Sequence, residues 1–144
     1  RRQPPADGPC VLKDRLCNDV FLLKLIPGTN PRVFDSLLGL QYRGVVLEAF
    51  GAGGLHFIRR DLSAEVRRLV ENGVSVVFAV SASMGSDFSI YEVGRKILDT
   101  GVIQSRDMTT EAAVTKLMWA LAQAKDVEAI RDLMLQNICG EITQ

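Results

Sequence analysis

The sequence predicts an α/β fold: a small Rossmann-like parallel sheet with helices on both faces and two additional C-terminal helices. Three observations carry that expectation. Apolar runs at 20–26, 45–47 and 74–80 are nearly continuous, as strands buried on both faces of a parallel sheet must be. Stretches with apolar residues at helical spacing separate these runs, so successive strands run parallel through right-handed crossovers. Two further helical stretches follow the last run.

Taken in order, residues 1–19 read as a linker and lead-in segment, and the domain itself spans 20–144. Residues 1–8 hold two prolines and no apolar pattern. The first strand is rich in Leu and β-branched residues, is interrupted only by Lys24, and stops at Pro27-Gly28. Asn30 then stands as N-cap before Pro31 at the first helical position. Phe34, Leu37 and Leu38 follow at helical spacing, and Gly39 is expected to supply the left-handed stop. The second strand runs into Glu48 and Gly51-Ala52-Gly53-Gly54. Ser63 is expected to cap a helix that buries Val66, Leu69 and Val70 and ends at Gly73. Beyond the third strand, Ser89-Ile90-Tyr91-Glu92 fits a capping box for a helix closing at Gly101. Thr109 opens a longer helix carrying Ala113, Val114, Leu117, Met118 and Leu121, with Trp119 read as core. Asp126 opens the last helix, with Val127, Ile130, Leu133 and Met134, ending near Gly140.

The 144 residues suffice for one domain with a buried core. Seventeen basic residues cancel seventeen acidic ones, so the basic excess typical of nucleic-acid binders is missing and no nucleic-acid partner is expected. The apolar runs are too short to cross a bilayer and no signal-peptide pattern is visible, so no membrane partner is expected. Cys10, Cys17 and Cys139 fit no zinc spacing beside the single histidine, His56. No metal and no cofactor are expected. The thiols read as reduced and the location as cytoplasmic, with a Cys10–Cys17 disulfide as the alternative. A start at Arg1 rather than Met suggests a piece of a longer protein.

Ligands of open parallel sheets gather beyond the carboxyl ends of the strands. Here that edge carries the loops 27–30, 49–56 and 81–88, two of them rich in glycine, where backbone N–H groups can approach an anion closely. Gly51-Ala52-Gly53-Gly54 lacks the third spaced glycine of a dinucleotide loop, and the next helix begins well downstream. Ser81, Ser83, Ser86 and Ser89 cluster after the third strand. A serine nucleophile needs a base, no Gly-x-Ser-x-Gly elbow is present, and these serines read as caps and turn formers. Lys24 and Glu48 read as a structural ion pair across adjacent strands, because a lone charge in a buried strand is costly. Arg59-Arg60 and Arg67-Arg68 read as a solvated face.

Several segments resemble a known family, the type I (cytoplasmic) bacterial L-asparaginases, in their C-terminal domain. The strand end from Val45 through Ala49-Phe50-Gly51-Ala52-Gly53-Gly54 looks like theirs, as does Gly85-Ser86-Asp87-Phe88-Ser89-Ile90-Tyr91-Glu92-Val93-Gly94. The most specific run is Asp107-Met108-Thr109-Thr110-Glu111-Ala112 followed by Thr115-Lys116-Leu117-Met118-Trp119. Leu23-Lys24-Leu25-Ile26-Pro27-Gly28, Gln136-Asn137 and Gly140-Glu141-Ile142-Thr143 extend the likeness over 20–143.

The resemblance implies hydrolysis of L-asparagine to L-aspartate and ammonia by a threonine nucleophile in an N-terminal domain. The Thr-Gly-Gly-Thr and Thr-Asp-Thr motifs of that domain are absent here, so no catalytic residue is assigned and the isolated chain is expected to be inactive. The implied partners are L-asparagine and the N-terminal asparaginase domains of the same and a neighbouring subunit in a homo-oligomer. Gly51, Gly53, Gly54, Ser81, Ala82, Ser83 and Tyr91 are the implied substrate-binding or intersubunit residues. An apolar surface including Phe50, Leu55, Phe57, Met84 or Phe88 is expected on that edge. Two departures stand out: Gly54 replaces a frequent Asn, and Ser81-Ala82 replaces a frequent Gln-Cys. The alternatives are the related subunit of a tRNA-dependent glutamyl amidotransferase and a non-catalytic amino-acid-binding module.

Overall fold

The computed structural model describes residues 9, 11–26, 28–49, 62–80 and 99–143. The expectations for residues 1–8, Cys10, Pro27, the glycine loop, His56, Arg59-Arg60, the serine loop and the Ser89 capping box lie outside the described residues. Among the described residues, four parallel strands form one sheet in the order β1 (Val20–Lys24), β2 (Gly44–Ala49), β3 (Ser75–Val80) and β4 (Ile103–Gln104). The described helices are α1 (Arg32–Gly39), α2 (Ser63–Glu71), α3 (Thr110–Gln123) and α4 (Val127–Leu135).

Strand order explains the layering. The sheet grows in one direction, so crossovers of the same hand land on the same face. Accordingly α1 and α2 pack together: Phe34, Leu37, Val66 and Leu69 meet Val45, Leu47, Val76 and Phe78. The opposite face would be left wet without α3 and α4. Leu117, Leu121, Ile130 and Met134 cover it by packing on Val46, Val77, Ala79 and Ile103. Successive residues of β2 thus feed two separate cores, as the pleat demands. Each fully buried Leu, Ile, Phe or Met contributes roughly 1.5–3 kcal/mol. Gly44 sets how near α3 can come: a Cβ there would lie 2.8 Å from Leu121 Cδ1 and 2.9 Å from Leu117 Cδ2.

The structure corrects several sequence expectations. No sequence pattern marks β4, because a strand of 2 residues shows no periodicity; its pairing with β3, Val77 to Ile103 and Phe78 to Gln104, makes it a strand. Gly39 is the last helical residue of α1, and the left-handed position falls on Gln41 at φ 58°. The longer helix returns Tyr42 against Phe21, with ring centroids 5.2 Å apart. At the start of α1, Asn30 Oδ1 accepts the Arg32 N–H at 3.1 Å, while the helix begins at Arg32, after Pro31. Leu62, not Ser63, occupies the cap of α2; its carbonyl accepts the Val66 N–H at 3.0 Å. Leu62 is buried in the core, and that packing outweighs the capping preference of serine. Arg68 is no simple solvated residue, since it bridges Asp35 of α1 at 2.5 Å and Glu65 at 2.8 Å. α4 stops at Leu135, before Gly140.

Other signals read as expected. Thr109 Oγ1 accepts the Ala112 N–H at 3.2 Å, and Asp126 Oδ2 accepts the Ala129 N–H at 3.1 Å. Gly73 (φ 80°) and Gly101 (φ 90°) take the left-handed conformation that glycine adopts without strain. Trp119 departs from the core position expected of it: it is only half-buried, because its indole Nε1 donates to the Lys13 carbonyl at 3.0 Å at the surface of α3. With the Cys17 N–H on the Met118 carbonyl at 2.9 Å, this ties the lead-in segment along α3.

Candidate functional site at the carboxyl edge

Parallel register brings the strand ends together. Lys24 is opposite Glu48, and Ala49 is opposite Val80. Lys24 Nζ donates to Glu48 Oε1 at 2.8 Å. The side chains are 66% and 13% exposed respectively, so the lysine is not the buried charge its apolar surroundings suggested. β1 lies at the edge of the sheet, and a long lysine there reaches water. Beside this pair, Thr29 Oγ1 accepts the Ile26 N–H at 2.9 Å and donates to its carbonyl at 2.8 Å, closing the turn after β1. Gly51, Gly53 and Gly54 follow β2 in the chain, and Ser81, Ala82, Ser83 and Tyr91 follow β3. All seven lie outside the described residues.

The turn after β4 belongs to the same edge. The Ser105 N–H donates to the Phe78 carbonyl at 3.0 Å, and the Met108 N–H to the Ser105 carbonyl at 3.2 Å. Between them Arg106 holds φ 56°, which costs a residue with a Cβ about 1 kcal/mol or more and persists only where neighbours enforce it. Asp107 receives the Thr143 N–H on both carboxylate oxygens, at 3.0 and 2.9 Å, and the Thr143 hydroxyl on Oδ2. The Thr143 hydroxyl is the main cause that holds the Asp107 carboxyl below its ordinary value. Glu111, in the first turn of α3, is also lowered, by its own backbone N–H and then by the Thr109 hydroxyl.

Sequence reasoning missed the best-built polar cluster. Lys116 Nζ, on the buried face of α3, donates at 2.5 Å both to Glu141 Oε1 and to the Gln136 carbonyl. The two charged side chains are only 6% and 12% exposed. Glu141 also accepts the backbone N–H groups of Ile138 at 3.1 Å and Cys139 at 2.8 Å. Burial works against its ionisation, but the hydrogen bonds, Lys116 first, hold its carboxyl far below the usual carboxylate range. The Cys139 thiol donates to Glu141 Oε2 at 3.2 Å and is pushed up by it. Asn137 completes the segment, giving Nδ2 to the Ile142 carbonyl at 2.6 Å and taking the Gly140 N–H at 2.8 Å. One signal was available in the sequence. The runs around Asp107, around Lys116 and at 140–143 each stand out as motifs, and the structure shows them bonded to one another.

Among the described residues, no group of three or more His, Cys, Asp or Glu could hold a metal ion. A groove of about 640 Å³ lies at the opposite, amino edge, lined by Arg15, Cys17, Asp19, Arg43, Gln123 and Lys125 among others, remote from the strand ends described above.

Comparison with known proteins places these features in a family context. Residues 19–134 match the Glutaminase/Asparaginase C-terminal domain. The L-asparaginase of Thermococcus kodakarensis is 39% identical over 137 residues, which cover 95% of this chain and 42% of that protein. The solved structure of the thermostable L-asparaginase from the same organism superposes with a TM-score of 0.88 at 40% identity, over 100% of this chain and 44% of that one. L-asparaginase I from Vibrio cholerae superposes with a TM-score of 0.78 at 29% identity, over 96% and 42%. A glutamyl-tRNA(Gln) amidotransferase subunit of Pyrococcus abyssi is 35% identical over 139 residues, 96% of this chain and 31% of that protein. The chain thus spans less than half the length of these relatives.

Proposed function

The chain belongs to the Glutaminase/Asparaginase C-terminal domain family, and from that premise we propose that it serves as the C-terminal domain of a cytoplasmic, type I L-asparaginase. In the complete protein, water would cleave the side-chain amide of L-asparagine, leaving L-aspartate and releasing ammonia. The nucleophile would come from an N-terminal domain. The present domain would build the homo-oligomer and complete the site of a neighbouring subunit, with Gly51, Gly53, Gly54, Ser81, Ala82, Ser83 and Tyr91 at the contact. The observation that carries the reading is the likeness to an L-asparaginase over the full chain, with a TM-score of 0.88 at 40% identity. The likeness to L-asparaginase I of Vibrio cholerae supports the type I assignment.

Ammonia release tests it. The full-length protein is expected to release ammonia from asparagine, and the isolated chain none above buffer, because acyl transfer needs a positioned nucleophile and base. Hydrolysis by the isolated chain that disappears in Ser81→Ala or Ser83→Ala would overturn the division of labour. A second reading, a component of a glutamyl-tRNA(Gln) amidotransferase, draws on the 35% identity to the Pyrococcus abyssi protein. Turnover of free asparagine without tRNA favours the first reading; dependence on glutamyl-tRNA favours the second.

A further inference from the structure

We propose that residues 136–143 form a strap that positions the carboxyl edge of the sheet, with Glu141 locking the strap to the core and Thr143 holding the turn 105–108 in place through Asp107. This role rests on the functional reading above only in taking that edge as the side of the site.

Three independent observations converge. First, the turn has a strained backbone that draws on support beyond its own Met108 N–H to Ser105 carbonyl bond: Arg106 sits at φ 56°, a region that a residue with a Cβ rarely occupies without support from its surroundings. Second, those surroundings are present on both sides. The Ser105 N–H is fixed to the Phe78 carbonyl of β3, and the Asp107 carboxylate takes the backbone N–H and hydroxyl of Thr143. Third, the strap that carries Thr143 is itself anchored. Lys116 reaches from α3 to Glu141 and to the Gln136 carbonyl, and Asn137 braces the interior of the strap. Ile142, between the two anchor residues, is buried in the core shared by α3 and α4. A chain of contacts therefore runs from the core through Lys116, Glu141, Ile142 and Thr143 to Asp107. It ends against Phe78, two residues before the last residue of β3. The strap lies beyond the residues matched to the family, 19–134.

Asp107 and Thr143 are thus positioning residues, which set where the edge stands without touching substrate. The test uses the full-length protein with Asp107→Ala and Thr143→Val, plus Asp107→Asn as the conservative variant, which keeps one acceptor. Amide hydrogen exchange is read at Ser105 and Met108, with Val45 to Leu47 of the central strand as internal control. In Asp107→Ala, exchange at Ser105 and Met108 is expected to accelerate by about tenfold or more with the control unchanged, and Asp107→Asn to recover part of the protection. KM for asparagine is expected to rise roughly three- to tenfold with kcat within about twofold, because ground-state binding geometry is lost and the chemical groups are not. Unchanged exchange at Ser105 and Met108 overturns the proposal, as does faster exchange with unaltered KM. Should Asp107→Ala fail to fold, Thr143→Val, which removes only the hydroxyl donor, is read in the same way. A full-length protein inert towards asparagine retires the functional reading instead, and exchange at the turn then decides the strap's role by itself.

Discussion

At the edge of the sheet Lys24 meets Glu48, and behind α3 Lys116 meets Glu141; the partners are separated by 24 and 25 residues in the chain, and the two carboxylates are similarly buried, yet the two lysines live in opposite surroundings. Lys24 projects from an edge strand and stays 66% exposed. Lys116 is 6% exposed and has a carbonyl as well as a carboxylate to satisfy it. A pair whose lysine stays in water gains little, because water competes for that charge and ordering its long side chain costs entropy. A buried pair has lost its water, so either partner left alone is an uncompensated charge in a medium that cannot solvate it. Identical chemistry therefore carries very different consequences at the two places.

The largest expected effect comes from breaking the buried pair. Lys116→Met should destabilise the domain by about 3–5 kcal/mol, read as a lower urea midpoint with an unchanged m-value. A loss below about 1 kcal/mol would make the two pairs equivalent and dissolve the contrast.

Gly44→Ala probes the helix layer that buries Lys116. The new Cβ meets Leu121 and Leu117 side-chain carbons at 2.8 and 2.9 Å, and overpacking of this kind costs roughly 1–3 kcal/mol. Thermal unfolding checks it: a wild-type Tm would mean that α3 shifts outward freely and that the contacts behind it are less constrained than the geometry indicates.

Acid titration sharpens the comparison further. The folded-state pKa of Glu141 lies below its unfolded value of about 4.5. Its contribution to stability is therefore complete above pH 4.5, and is lost as the pH falls below that value towards the folded pKa. Asp107 and Glu111 are shifted in the same direction. Glu141→Gln should accordingly be less stable than wild type at pH 7, with the gap narrowing as the pH falls below 4.5. A gap that stays constant down to pH 3 would show that the carboxylate's charge is not what stabilises the strap.

Lys24→Met should show the smallest change, about 0–1 kcal/mol, and less still in high salt. A loss comparable to that of Lys116→Met would show that the 13%-exposed Glu48 governs the pair and that the exposure of Lys24 does not.

Much of the architecture was legible from local patterns. The apolar runs identified β1, β2 and β3, and Thr109, Asp126 and Gly73 marked helix boundaries through hydrogen-bonding and backbone chemistry that operates within a few residues. The register of Lys24 against Glu48 was legible too, because Lys24 interrupts one apolar run and Glu48 ends the next. Signals that rival packing could override were less secure. Gly39 gave way to a longer helix, and Ser63 gave way to the buried Leu62.

The sequence by itself determined the parallel α/β layering of this chain, since periodicity and capping are written into neighbouring residues. Tertiary structure alone decided three other matters. It made β4 a strand, because 2 residues become one only when β3 supplies the partner. It left Lys24 in water, because β1 is the edge of the sheet and, among the described residues, no neighbouring strand covers its outer side. And it made Lys116 an interior cation, because α4 turns the segment after it back over α3 and delivers Glu141 from 25 residues away. Burial belongs to a position in space, and a residue's own neighbours in the chain do not encode it.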